Sequence, residues 1–157
     1  MTGDDLRLVL ADYGRGLDTE LALLSQLETL ADGQHAATAS NDLAAVSRVA
    51  DERDRTLQAL IEVEARVRPL RGVLARHAAE ARRLDAFAGV AERHRQATRV
   101  VASILARDGE TLTALRDAGR ARRLAAQAIE AGEATLAAYR RVIAPPLASA
   151  GLVSRKI

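Results

Sequence analysis

The sequence predicts an all-α fold, an antiparallel three-helix bundle or hairpin with coiled-coil-like packing and a long C-terminal helix. Its 157 residues include 34 Ala, 22 Leu and 22 Arg but one Phe and no Trp, a mixture with high helix propensity. The 10 Gly and 3 Pro are too few for the frequent turns of most β folds. Apolar residues also recur at steps of three or four over long stretches, which is the spacing of one helix face.

The first helix is predicted over residues 4–31. Its apolar face consists of Leu6, Leu10, Tyr13, Leu17, Leu21, Leu24, Leu27 and Ala31. Gly14 and Gly16 interrupt this face at about 1 kcal/mol each relative to Ala, so we expect fraying, a bend or a new helix start capped by Asp18 there. Small polar residues over 32–41 predict the first turn.

The second helix is predicted to begin at Ser40, Asn41 or Asp42, all good N-cap residues. Its apolar seam runs through Leu43, Val46, Ala50, Arg53, Leu57, Leu60, Glu64 and Val67. Because Arg53 and Glu64 are charged, either the face drifts or both residues lie partly exposed at its edge. Pro69 predicts a kink or the start of a new helical segment.

The last helix lies in the stretch from Leu70 to Ile143, which contains no proline. Asp108-Gly109 is its best candidate break, although a continuous helix is also compatible with the pattern. A helix over residues 83–143 measures about 90 Å at 1.5 Å per residue, so we expect it to bend or to project beyond the others. Pro145-Pro146 predict its end, which makes residues 1–144 one helical domain and residues 145–157 a mobile tail.

Charge is distributed unevenly along the chain. Residues 1–65 hold 5 Arg against 13 acids, a net charge of −8, whereas residues 66–157 hold 18 basic residues against 8 acids, a net charge of +10. We expect the acidic half to fold back onto the basic half. The alternative is a basic surface for an acidic partner or nucleic acid, centred on Arg116, Arg120, Arg122 and Arg123. With so few aromatic residues for base stacking, we expect no nucleic-acid binding.

No catalytic, cofactor or metal motif occurs in the sequence. The chain has no cysteine, and His35, His77 and His94 stand far apart without Glu-x-x-His spacing. We therefore expect neither an enzyme nor a bound cofactor. The N-terminus lacks the order of a signal peptide, and no run of about 18 apolar residues could insert into a membrane, so we expect a cytoplasmic protein.

The apolar length of the last helix predicts a polypeptide partner, because two shorter helices cannot cover it. We expect the contact at Ile129, Leu136, Tyr139, Val142 and Ile143. For Tyr139 the alternative is a seam position packed inside the bundle. Secondary candidates, which we expect more readily in the core, are Ile104, Leu105, Leu112 and Leu115.

The segment SNDLAAVSRVADERDRTLQALIEVE, residues 40–64, resembles the second-helix signature of the FlgN-type flagellar export chaperones. In that signature a polar residue and Asp-Leu precede an apolar position, a basic residue, Leu-x-x-Leu and an acid. The matching residues here are Asn41, Asp42, Leu43, Val46, Arg53, Leu57, Leu60 and Glu62 or Glu64. The opening helix with LALLSQLETLADGQ and the closing helix with LAAYRRVIAPP are also similar to the family, so the resemblance covers residues 5–143.

The resemblance implies a cytoplasmic chaperone of type III flagellar export. Such a chaperone binds the C-terminal amphipathic segments of the hook-filament junction (hook-associated) proteins, prevents premature assembly and delivers them to the export gate apparatus. In this interpretation Tyr139 is a docking residue. The alternatives are a self-associating coiled-coil scaffold or adaptor, with a possible homodimer, and a helical protein that binds nucleic acid through the Arg cluster.

Overall fold

The structure, a computed structural model, describes the backbone of residues 1–156 and the side chains of residues 1–134 and 136–138. It consists of four α-helices, α1 (Gly3–Ala39), α2 (Leu43–Arg76), α3 (Ala78–Ala81) and α4 (Phe87–Lys156), and residues 1–156 contain no strand. The prediction of an all-α bundle with a long C-terminal helix is confirmed. The chain divides into two compact units, unit 1 (residues 1–114) and unit 2 (residues 115–157).

Side-chain pairs establish the directions of the helices in unit 1. Helices α1 and α2 are antiparallel, since Gly16 lies beside Val67 near one end and Gln34 accepts a hydrogen bond from Arg53 near the other. The unit 1 part of α4 runs parallel to α1. Two ion pairs show this, because Asp18 and Asp32 on α1 contact Arg93 and Arg107 on α4 in the same order. These pairs also join acids of the first half to arginines of the second, as the charge distribution predicts.

Polar side chains cap the N-termini of α1 and α2. The Thr2 hydroxyl accepts a hydrogen bond from the Asp5 backbone N–H at 3.1 Å, and the Asp5 carboxylate accepts one from the Thr2 backbone in return. After Ala39 the chain turns through Asn41, whose φ of 55° is left-handed. Asp42 then accepts from the Ala45 N–H at 3.0 Å, which confirms the predicted N-cap of α2.

Gly16 allows close packing of α1 against α2 rather than a break. A Cβ atom at this position would lie 2.5 Å from Val67 Cγ2, well inside van der Waals contact. Helix α1 is continuous through Gly14 and Gly16, so the expected fraying, bend or new helix start is not found. The free-energy cost of a glycine inside α1 is offset by the packing that the close approach of the two helix backbones allows.

The reversal between α2 and α4 lies at residues 77–86, which is a correction of the expected break at Pro69. Helix α2 continues through Pro69 and ends at Arg76, and the short α3 follows. Backbone hydrogen bonds close the turn, such as that from the Phe87 N–H to the Leu84 carbonyl at 2.9 Å. The segment contains no Gly or Pro, so propensity does not place the turn. Leu84 and Phe87 instead pack against the end of the core.

Helix α4 is continuous through Asp108-Gly109, so the candidate break there is not used. It also extends past Pro145-Pro146 to Lys156, beyond the predicted helix end at residue 144. A proline removes one backbone donor at a cost of about 3 kcal/mol, whereas the alanines and leucine beside it favour helix. A single domain over residues 1–144 with a mobile tail over 145–157 stays a prediction.

The core of unit 1 consists of two clusters. The first combines side chains of all four helices and contains Leu6, Leu10, Tyr13, Leu17, Val63, Val67, Leu74, Ala81 and Val90. The second contains Leu24, Leu27, Ala31 and Ile104. The face predicted for α1 is confirmed, since of its eight members Leu21 alone is not fully buried. The face predicted for α2 is shifted, because Thr56 and Val63 are buried while Leu57 is exposed.

Candidate partner-binding surface

Ile129 and Leu136, two of the five predicted contact residues, are exposed in unit 2. Their exposed fractions are 63% and 68%, large values for aliphatic side chains. Leu124 is similarly exposed and was not predicted, because it lies off the heptad spacing that relates Ile129 to Leu136. The other three predicted residues, Tyr139, Val142 and Ile143, lie outside the residues whose side chains the structure describes.

The four secondary candidates separate into one buried and three exposed residues. Ile104 is 8% exposed and belongs to the second core cluster, as expected for a core position. Leu105, Leu112 and Leu115 are each at least half exposed, so the expectation that they lie in the core is wrong. For Leu105 and Leu112 the physical reason is rotation around the helix, because these side chains lie about 100° and about 80° away from that of Ile104. Leu115 lies within about 20° of Ile104 around the helix, so rotation does not account for its exposure; it is the first residue of unit 2.

Helix α4 therefore has two parallel stripes in unit 1, each repeating every seven residues. The first stripe faces α1 and α2, and its side chains are buried or half-buried. It consists of Val90, Ala97, Ile104 and Thr111. Leu105 and Leu112 form the second stripe, which faces away. A seven-residue apolar repeat is the spacing at which one helix packs along another.

Helix α2 contributes two more exposed apolar residues: Leu57, whose predicted place on the buried seam is wrong, and Ile61, which was not predicted. Arg53 pairs with Asp108 across the antiparallel helices, so Leu57 lies level with about Leu105 and Ile61 with about Val101. A shallow groove of about 430 Å³ opens beside Ile61. We define the outer apolar surface as Leu57, Ile61, Val101, Leu105 and Leu112. Because the buried face of α2 passes through Thr56 and Val63, the neighbouring Leu57 and Ile61 are left exposed on this surface.

A polar network crosses the first core cluster at Tyr13, which is 2% exposed. The Tyr13 hydroxyl accepts a hydrogen bond from Arg71 Nε at 3.1 Å and lies 2.9 Å from His94 Nε2. Arg71 also donates to both oxygens of Glu64, at 2.7 and 2.9 Å. Burial and the Arg71 charge lower the pKa of His94, which favours its neutral imidazole. The network fixes α1, α2 and α4 at one level.

Glu20 is a buried acid attached to this network. Burial is the main cause that raises its pKa to about 7, and the hydrogen bond and the charge of Glu64 act in the same direction. The Arg71 guanidinium, in contrast, holds the pKa of Glu64 below its usual range. Glu20 Oε1 has no hydrogen-bond partner in the described residues, which is an unfavourable arrangement for a carboxylate. Protonated Glu20 can donate to Glu64, so the neutral acid suits this position better.

Arg53 makes the second charged contact on the α2 seam. Its guanidinium donates to both Asp108 oxygens at 2.7 and 2.9 Å and to Gln34 at 2.7 Å. The side chain is largely buried, and the bidentate pair raises the pKa of Arg53. Arg53 and Glu64 thus remain on the seam as half-buried residues, each with an oppositely charged partner.

The described residues contain no group of three His, Asp or Glu side chains suited to hold a metal ion. No helix among them is both long and apolar enough for a transmembrane span. The four predicted basic residues Arg116, Arg120, Arg122 and Arg123 are all exposed in unit 2.

Comparisons of the chain with protein-family models, with curated proteins and with solved structures find no match. The likeness to FlgN-type chaperones therefore depends on the quoted residues alone.

Proposed function

We propose that this protein is a cytoplasmic export chaperone of the FlgN type, without catalytic activity, that binds the C-terminal amphipathic segment of a hook-filament junction protein. It then holds the client unassembled and delivers it to the flagellar export gate. The observation that carries the proposal is the outer apolar surface, in which Leu57 and Ile61 of α2 are exposed at about the level of two exposed aliphatic residues of α4, and a third follows along α4. An exposed apolar patch of this kind is typical of a binding surface.

The spacing of these residues suits an amphipathic helix as the ligand. Leu105 and Leu112 are separated by two helical turns, and Leu57 and Ile61 by about one. A client helix with apolar residues at i, i+3 or i+4 and i+7 can place them along this surface. Ordering a flexible client segment lowers the net affinity, which suits a partner that must later be released.

Self-association is the alternative, and the seven-residue spacing of Leu105 and Leu112 favours it. The same spacing recurs in Ile129 and Leu136. Two copies of such a helix can pack as a coiled coil. This scaffold interpretation predicts that the sedimentation mass of the protein alone increases with its concentration, whereas the chaperone interpretation predicts a mass change on addition of a client peptide.

The chaperone proposal is tested with peptides from the C-termini of hook-filament junction proteins, titrated by fluorescence anisotropy. The double variant Leu105→Ala/Leu112→Ala should weaken binding about tenfold or more, because apolar anchors dominate such contacts. Leu8→Ala is the matched control, since Leu8 on α1 is 68% exposed and Leu105 is 66% exposed. A second double variant, Ile129→Ala/Leu136→Ala, measures the contribution of unit 2 separately.

Binding should also raise the thermal midpoint of the wild-type protein, because the peptide binds the folded state alone. Circular dichroism checks that the variants retain their helicity. Wild-type affinity in both double variants, or equal weakening by Leu8→Ala, contradicts the proposed surface. Absence of binding by every such peptide contradicts the function.

A further inference from the structure

A second concave site lies at the end of unit 1 where the chain reverses. It is a cleft of about 400 Å³ between α2, α3 and the first turns of α4, within the range of small-molecule sites. Its apolar walls are formed by Leu74, Ala75, Ala78, Phe87, Val90 and Ala91. None of these residues belongs to the outer apolar surface, so the cleft is a separate site.

The polar groups of the cleft are hydrogen-bond donors. Tyr13, Arg71, Arg82 and His94 are its remaining lining residues. The Tyr13 hydroxyl accepts from Arg71 and lies 2.9 Å from His94 Nε2; in the tautomer in which this hydroxyl donates to Nε2, the imidazole N–H lies on Nδ1. Arg71 keeps further N–H groups beyond those used by Tyr13 and Glu64. The site thus offers several donors beside an apolar wall.

The cleft carries one uncompensated positive charge. Arg71 is neutralised by its bidentate pair with Glu64. Arg82 forms no ion pair with any described side chain, and no acid is present among the lining residues. An excess of donors and one net positive charge are complementary to a ligand with acceptor oxygens and one negative charge.

We propose that the cleft binds a small apolar monocarboxylate, such as a medium-chain fatty acid. Its carboxylate contacts Arg82 and the free donors of Arg71 and His94. Its hydrocarbon part lies against Phe87, Val90 and Leu74. The proposal does not depend on the chaperone function, because it uses different residues and a different ligand.

The experiment is an NMR titration of the full-length protein with sodium octanoate. Phe87 is the only phenylalanine of the chain, so its ring signals report on the cleft without ambiguity. We expect saturable shifts of Phe87 and of the His94 ring with octanoate. Octanol has the same chain without the charge and should bind about tenfold or more weakly, the usual effect of one lost charged contact.

Arg82→Gln removes the charge proposed to hold the carboxylate and should weaken octanoate binding about tenfold. The matched control is Arg83→Gln, since Arg83 is the next residue, is also exposed and does not line this cleft. Both side chains are exposed, so both variants should fold, and circular dichroism checks this.

Three results overturn the proposal. These are the absence of saturable shifts at Phe87, equal affinities for octanoate and octanol, and equal effects of the two arginine variants. In a fourth, N-acetyl-Leu-Leu binds more tightly than octanoate, and the C-terminal amide of this dipeptide does not bind. That result would assign the cleft to the carboxyl terminus of a peptide instead.

Discussion

Helix α1 and residues 115–138 of α4 are both helical but differ in the burial of their large apolar residues. The face of α1 has such a residue at every third or fourth position, whereas in residues 115–138 only Ile129 and Leu136 share a heptad spacing and the remaining positions are mostly Ala and polar residues. In α1 these side chains form the core, and Leu6, Leu10 and Tyr13 are the most completely buried large residues. In residues 115–138 the large aliphatic residues, Leu115, Leu124, Ile129 and Leu136, are all exposed. Periodicity therefore predicts a helix and its apolar face but not whether another element covers that face.

The largest expected effect contrasts a buried leucine with an exposed one. Leu10→Ala should lower the free energy of unfolding by about 2–5 kcal/mol, because it removes a side chain that is 1% exposed and leaves a cavity. Leu136→Ala should change it by about 0.5 kcal/mol or less. Urea denaturation followed by circular dichroism measures both values. A loss of several kcal/mol for Leu136→Ala at low protein concentration would show that its face is covered within a single chain.

Gly16→Ala tests the close approach that allows α1 to bury its face. The new methyl group would clash with Val67, so we expect a destabilisation of about 1–3 kcal/mol even though Ala favours helix. Gly109→Ala is the control, because no atom lies within 4 Å of its added Cβ, and it should stabilise by about 0.5–1 kcal/mol. Thermal denaturation measures the midpoint temperature of both variants relative to wild type. Val67→Ala in the Gly16→Ala background should recover part of the loss, and failure to do so argues against the clash.

A smaller effect concerns the acid buried between α1 and α2. Because folding raises the pKa of Glu20 from 4.5 to about 7, the folded state binds more protons between these values. The free energy of unfolding should therefore fall as the pH rises from about 4.5 to about 7 and then level off. The two pKa values correspond to a change of about 3 kcal/mol, and screening by nearby water reduces this to about 2 kcal/mol. Glu20→Gln should remove this dependence and stabilise the protein at pH 8.

Glu62→Gln is the control for this measurement, since Glu62 is an exposed glutamate on α2. Denaturant unfolding at pH 5, 6, 7 and 8 provides the comparison. Identical pH profiles for wild type and Glu20→Gln would contradict the assignment of the buried proton to this residue.

Much of the fold could be predicted from individual residues. The spacing of the α1 face predicts its buried side chains, and Asp42 predicts the start of α2. The chain reversal at residues 77–86 could not be predicted, because it contains neither Gly nor Pro and depends on Leu84 and Phe87 reaching the core. Pro69 misled the prediction because one missing donor does not end a helix that tertiary packing holds on both sides.

For the candidate surface, the sequence predicts correctly that aliphatic residues of the last helix are exposed. It does not predict correctly which of the leucines are exposed. Exposed aliphatic residues on the last helix were predicted, and Ile129 and Leu136 are exposed. Leu105 and Leu112 were assigned more readily to the core, because the pattern does not say which of two adjacent stripes faces the other helices. Leu57 was assigned to the seam of α2 for the same reason, and Ile61 was not predicted.

By itself the sequence determined the helical class, the apolar face of α1 and the N-cap of α2, because propensity, capping and periodicity are local properties. The tertiary structure decided the close contact at Gly16, the network of Tyr13, Arg71 and His94, and the separation of Ile104 from Leu105. Each of these depends on which side chains of distant segments come within a few ångströms. Helices rotate by 100° per residue, so a small change in the facing direction exchanges buried and exposed residues.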